Sequence, residues 1–337
     1  MNYIDREKLT RLAHTFDLNY RVTSLYATYL EHYPELIRPE MINALCENSN
    51  IDHRDAVIAL LCEAFGLDDA NGGDERRLIR EYIRPSVRIL DRKKYESNPY
   101  YKNIKIENVK DGAWELKWES YPAYRGFICD DMIINPDFSE VAPLGFFEDE
   151  FSFPAVLEGG NEWMTLTPVD LDTSDYAIER ARGKVVTFGL GLGYFAYMAS
   201  EKEEVRSVTV IEKSENVIRL FEKYILPQFP HRDKVRVICD DAFRYAEHDM
   251  PSEEYDFAFV DTWRDASDGA PMYRRMKPYE NLNPKTEFSY WIERFLISRL
   301  RALKFEELYD KTVGDADGAP NTYDELTREL RLYGRDI

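Results

Sequence analysis

Apolar residues recur at intervals of three and four through "REKLTRLAHTF", "YRVTSLYATYLEHY", "PEMINALCE" and "HRDAVIALLCEAFG", which predicts helices over residues 1 to about 95. "DDANGGDERR" breaks that pattern as a turn, and Pro85 is expected to kink or end the basic amphipathic helix that follows. From Tyr101 to about Leu166 the texture changes. "NIKIENV" and "AWELKWES" alternate polar and apolar residues, as strands do, between prolines and glycines such as Pro122, Gly126, Pro143 and Gly145. Beyond Pro168, short apolar runs alternate with helical stretches, the mark of a parallel sheet with crossover helices. Strands are expected at Lys184–Phe188, at "SVTVIE" ending on Glu212, at "KVRVIC" before Asp240 and at Tyr255–Asp261. A long helix is expected over "TEFSYWIERFLISRLRAL", and residues 264–285 read as a long loop. The expected fold is α/β. A helical N-terminal domain (1–95) and a strand-containing connector (96–166) precede a Rossmann-like, doubly wound, mostly parallel sheet (167–337).

Charge narrows the partners. With 63 acidic and 44 basic residues the chain carries a formal charge of −19, which repels nucleic-acid backbones and anionic lipid. The basic stretch "ERRLIREYIRPSVRILDRKKY" is expected to be solvated or paired with acidic side chains. There is no long apolar run and no secretory signal pattern at the start, so a cytoplasmic protein is expected. Cys46, Cys62, Cys129 and Cys239 form no CxxC pair and the five histidines form no HExxH motif, so neither a disulfide framework nor a metal site is expected.

The candidate chemistry centres on "VVTFGLGLGYFAYMAS", with Gly189, Gly191 and Gly193 at alternate positions between a strand and a helix. Free N–H groups and the helix dipole at such a junction favour an anion or a carboxylate, and glycines admit a ligand close to the backbone. Gly191 to Ala196 fits GxGxxA, a dinucleotide form; Gly189 to Gly193 fits GxGxG. A carboxylate at the end of the second strand, Glu212, suits the ribose of either ligand. Asp240 and Asp241 follow the third strand and Asp261 ends the fourth, so successive strand ends deliver polar groups to one edge.

Over "VVTFGLGLGYFA", "VTVIEKSENVIRLF", "VICDDAF" and "YDFAFVDTW" the sequence resembles the class I S-adenosylmethionine-dependent methyltransferases. That resemblance implies S-adenosyl-L-methionine as cofactor. Gly189, Leu190, Gly191 and Gly193 would hold its methionine part, Glu212 its ribose with Lys213 alongside, and Asp241, Ala242 and Phe243 its adenine. Asp261 would face the methionine amino group or the acceptor and is the candidate base. Thr187 stands where the family often has an acidic residue, and the tail lacks a clear closing strand pair. Trp163, Met164, Trp263 and Tyr273 are candidate acceptor contacts, joined among the aromatics by Tyr290 and Trp291. The implied function is methyl transfer to a small molecule or a protein side chain. Spermidine synthases are similar over the same strands, although "DTWRDASDG" lacks their proline and spaces its aspartates more widely. A non-catalytic binding protein and an NAD-dependent oxidoreductase are the remaining alternatives. A homodimer is a further expectation.

Overall fold

The computed structural model describes residues 3–313, 319–320 and 322–332. The chain falls into two compact units, Met1–Leu90 with Pro122–Glu150 and Arg294–Ile337, and Asp91–Tyr121 with Phe151–Glu293. Each unit is assembled from stretches distant in sequence, whereas the sequence pattern suggested three consecutive segments.

In the second unit five parallel strands form one sheet: β1 (Gly183–Phe188), β2 (Val205–Glu212), β3 (Val235–Cys239), β4 (Phe257–Val260) and β5 (Glu287–Tyr290). Their order is β3-β2-β1-β4-β5. β1 is flanked by β2 and β4, and every pairing in the sheet is parallel. This is a Rossmann-like topology, in which the connection reverses direction between β1 and β4 and opens a crevice at the carboxyl ends of the strands. β4 is wholly buried and apolar and β1 is buried from Val185 to Phe188, as strands covered on both faces must be. The helices that matter for the crevice are α1 (Pro168–Arg180), α2 (Tyr194–Ser200), α3 (Glu215–Leu220), α4 (Ala242–His248) and α5 (Ala266–Met276).

Two expectations for this unit need correction. The long helix begins at Glu293, not near Thr286, because Glu287–Tyr290 is strand β5 alongside β4. Residues 264–285 are not an open loop: they hold α5 and a 3₁₀ segment, Lys277–Leu282. The missed signal is a capping box. The Asp265 carboxylate accepts from the Ser267 and Asp268 amides, and Asp268 accepts from the Asp265 amide at 3.0 Å. The same unit contains a four-stranded antiparallel sheet in the order Val109–Asp111, Trp114–Tyr121, Phe151–Glu158, Asn161–Thr165. Only the last three residues of "NIKIENVKD" are strand.

The first unit is mostly helical, from Tyr3–His32 through His53–Ala64 to Glu293–Val313, with the short parallel pair Val87–Ile89 and Leu144–Phe146. Its helix before Pro85 runs through a π-helical turn, Leu78–Ile83, and ends at Ser86. The arginines of that stretch pair locally with acids: Arg76 and Arg80 with Asp69, Arg77 with Glu81, Arg84 with Asp55. No described helix is long and apolar enough to cross a membrane.

Candidate functional site

The glycine loop between β1 and α2 is shaped by three different neighbours. Gly189 has φ +99°, and a β-carbon there would collide with the main-chain carbonyl oxygen of Asp261 at the tip of β4. Gly193, φ +76°, faces the ring of Phe221 in the same way. At both positions glycine is demanded by the protein's own close packing. Gly191, φ +51°, differs. Its open side faces the side chain of Met164, whose thioether a β-carbon would strike. Met164 Sδ also accepts the Leu192 amide at 3.2 Å.

Most loop amides are engaged within the chain. The Gly189 amide donates to the Ile211 carbonyl and that of Gly193 to the Leu190 carbonyl, each at 2.8 Å. Leu190 N–H donates to Glu212 Oε2 at 3.1 Å, while Ser214 N–H donates to Glu212 Oε1 at 2.8 Å. Glu212 therefore fastens the loop after β1 to the start of α3, and it retains lone pairs for a ligand hydroxyl.

A second brace comes from Pro99–Asn103, within the stretch first read as connector. Tyr100 Oη donates to the Leu192 carbonyl at 2.5 Å, and its ring meets those of Tyr194 and Tyr197 edge-on. Tyr101 Oη donates to the Leu166 carbonyl, also at 2.5 Å. These tyrosines were not singled out by spacing, since no motif links a short helix to a loop some ninety residues later.

A cavity of about 20 Å³ lies beside the loop, lined among others by Met164, Asp170, Thr187, Phe195, Asp261 and Trp291. Of the residues proposed from sequence, Gly189, Leu190, Met164, Asp261 and Trp291 line it. Asp170 was missed. It belongs to the capping box of α1, where its Oδ2 accepts from the Thr167 amide at 2.7 Å and from Thr167 Oγ1 at 2.9 Å. The pattern Thr-Pro-x-Asp at 167–170 could have revealed the cap, but not that the cap faces the same cavity as Thr187. α1 thus brings a carboxylate to the cavity beside Thr187.

Both cavity carboxylates are easier to protonate than usual. Burial raises Asp261 well above the ordinary carboxylate range, and the charges of Asp170 and Glu212 add to it. Burial also pushes Asp170 up, to about 6, against the opposing hydrogen bonds from Thr167. No lysine or arginine is among the residues that line the cavity. Trp291 is buried, and its indole N–H has no hydrogen-bond partner among the described residues.

The other candidates lie elsewhere. Asp241 is the N-cap of α4, accepting from the Phe243 and Arg244 amides at 3.0 Å each. Ala242 and Phe243 open that helix, and the Arg275 guanidinium sits 3.9 Å from the Phe243 ring centre. Asp240 is paired with Arg244. Lys213 is exposed. Trp263 stacks on Tyr290, and Tyr273 meets Tyr290 edge-on behind them. Trp163 is exposed against the edge of Trp114. A wider, open depression of about 360 Å³ lies along α3 and the end of β3, lined by Glu215, Ile218, Arg219, Glu222, Lys223 and Cys239. It includes none of the loop glycines and neither cavity carboxylate.

The site thus combines carboxylates without a lysine or arginine in the lining, an indole N–H without a partner among the described residues, and at Gly191 a cradle filled by a flexible side chain. No family model and no curated protein sequence matches the chain. Among solved structures it is similar to spermidine synthase from Thermotoga maritima, at 13% identity over 59% of this chain and 64% of that one, with a TM-score of 0.32. It is also similar to a spermidine synthase in complex with the transition-state analogue AdoDATO, at 13% identity over the same shares, with a TM-score of 0.31. The chain thus spans less than two thirds of the length of either structure.

Proposed function

We propose that the sheet unit binds an S-adenosyl sulfonium donor and transfers an alkyl group from it to an acceptor, with aminopropyl transfer to an amine as the first reading. One observation carries it: the cavity beside the glycine loop is lined by two carboxylates and no basic side chain. Such a lining favours ligands that are cationic throughout. A donor without an α-carboxylate meets it without like-charge repulsion, and an amine acceptor is drawn to it. When bound, the donor would supply a carbon made electrophilic by positively charged sulfur. Asp261 would orient an ammonium and, in its ionised form, take the proton an attacking amine must lose; burial and the charges of Asp170 and Glu212 raise its affinity for that proton. Asp170 would share the cationic ligand. Glu212, already fixed by the Leu190 and Ser214 amides, would offer its free lone pairs to the ribose hydroxyls.

Methyl transfer from S-adenosylmethionine itself is the second reading. It is favoured by the unpartnered Trp291 indole, a donor suited to the α-carboxylate that only this ligand carries.

Calorimetric titration with S-adenosylmethionine, its decarboxylated form, S-adenosylhomocysteine and NAD separates these readings. Preference for the decarboxylated donor, lost in Asp261→Asn, supports aminopropyl transfer. Preference for the carboxylated ligands, weakened in Trp291→Phe, supports methyl transfer. Binding of NAD alone would overturn both.

A further inference from the structure

Met164 is the residue around which the cavity closes. It lies on the edge strand Asn161–Thr165 of the antiparallel sheet. From there its side chain crosses to the glycine loop, covers the open side of Gly191, and offers Sδ to the Leu192 amide. The space that remains is about 20 Å³. Pockets for small organic ligands are on the order of 300–1,000 Å³. The donor's amino-acid chain does not fit the space left beside Gly191.

We infer that Met164 is a resident stand-in for the donor's amino-acid chain: its thioether occupies the Gly191 cradle and must leave before a donor can bind. The inference rests on the donor reading above, which assigns that loop to the methionine-derived part. Its physical content is separate. The obstruction at Gly189 is a main-chain carbonyl and that at Gly193 is a packed ring, so neither can yield without moving a strand or a helix. At Gly191 the obstruction is the end of a flexible, unbranched side chain. Met164 is itself partly exposed, so rotation about its side-chain bonds alone can clear the cradle. The Leu192 amide released by that rotation becomes a donor for the ligand, so one hydrogen bond is exchanged for another. Met164 thus sets the donor's apparent affinity, which falls in proportion to the fraction of molecules whose cradle is open.

The test compares wild type, Met164→Ala and Met164→Leu by calorimetry with three probes: S-adenosylhomocysteine, decarboxylated S-adenosylmethionine and adenosine. Adenosine carries no chain to compete with Met164. Alanine should tighten the two chain-bearing probes by roughly tenfold or more and leave adenosine unchanged. Leucine, which fills space but cannot accept from Leu192, should lie between. Wild type labelled with ¹³C at the methionine methyls provides a readout that needs no substitution. The Met164 methyl should contact the Gly191 amide in the free protein and lose that contact on saturation. Equal affinities in all three proteins, or a methyl that stays in place while a chain-bearing probe binds, would overturn the stand-in and leave the donor reading intact. If none of the three proteins binds any probe, the donor reading fails and the inference falls with it.

Discussion

The α-carbon of Gly189 and the main-chain carbonyl of Asp261 approach so closely that no β-carbon fits between them. This contact joins the tips of β1 and β4, where the Asp261 amide also donates to the Phe188 carbonyl at 2.8 Å. Alanine at 189 must part the two strands and also adopt a φ that L side chains avoid. Gly189→Ala is therefore expected to cost about 2–4 kcal/mol in denaturant unfolding. A loss below about 0.5 kcal/mol would show that the strand tips are not joined in this way.

The cavity carboxylates make stability and binding respond to pH in opposite directions. Asp170, near 3.9 in an unfolded chain, is pushed up to about 6 in the folded protein. Between those values the folded state holds a proton that the unfolded state has released. Its contribution is thus present at low pH and lost as pH rises through about 6. A cationic ligand needs the ionised form, so its affinity should climb over the same interval. Titrations from pH 5 to 7.5 should show this climb in wild type and a flatter profile in Asp170→Asn. Identical profiles would exclude Asp170 from the ligand's surroundings.

Asp261→Asn removes a buried carboxyl whose ionisation is opposed by burial and by Asp170 and Glu212. The variant is expected to melt about 2–4 °C higher at pH 7 while losing donor binding and transfer. Calorimetric melting measures the first part and ligand titration the second. A lowered Tm would mean that the carboxylate is held by interactions stronger than its burial penalty.

Tyr100→Phe tests the brace beneath the loop. Removing the hydroxyl leaves the Leu192 carbonyl without that donor in a buried setting, at a cost of about 1–3 kcal/mol. The loop should loosen, so amide hydrogen exchange at Gly191 and Leu192 should accelerate more than in the strands. Uniform acceleration would assign the effect to global stability alone.

In the first unit Glu140 is buried beside Arg301, with Oε1 and Nη1 3.5 Å apart, and accepts from Ser298 at 2.6 Å. Glu140→Ala would leave the Arg301 charge buried without that carboxylate, at a cost of about 3–5 kcal/mol in chemical denaturation. Glu140→Gln, which keeps an acceptor for Ser298, should cost less. Equal losses would place the whole effect on charge rather than on hydrogen bonding.

Four strands of the parallel sheet were legible in the sequence because each is a short apolar run ended by a polar strand tip. The fifth, Glu287–Tyr290, was not. "TEFSYWIERFLISRLRAL" has helical periodicity over most of its length, and pairing with β4 overrides it at the start. The glycine loop was visible as a motif, but a motif does not reveal which glycine faces packing and which faces space. Asp170 remained hidden because its local role, capping α1, fully accounts for it in one dimension. Its meeting with Asp261 is made only by the strand order, across some ninety residues of chain.

The helical unit joins stretches that lie far apart along the chain. Leu9, Leu12 and Phe16 pack with Phe305, Leu308, Leu326 and Leu330. During synthesis, therefore, this apolar helix face emerges from the ribosome about 300 residues, tens of seconds at ordinary elongation rates, ahead of the partners that cover it. All the residues of the sheet unit, 91–121 and 151–293, are made within that interval. The part that bears the glycine loop is thus synthesised in full between the two stretches of the helical unit that pack in this cluster.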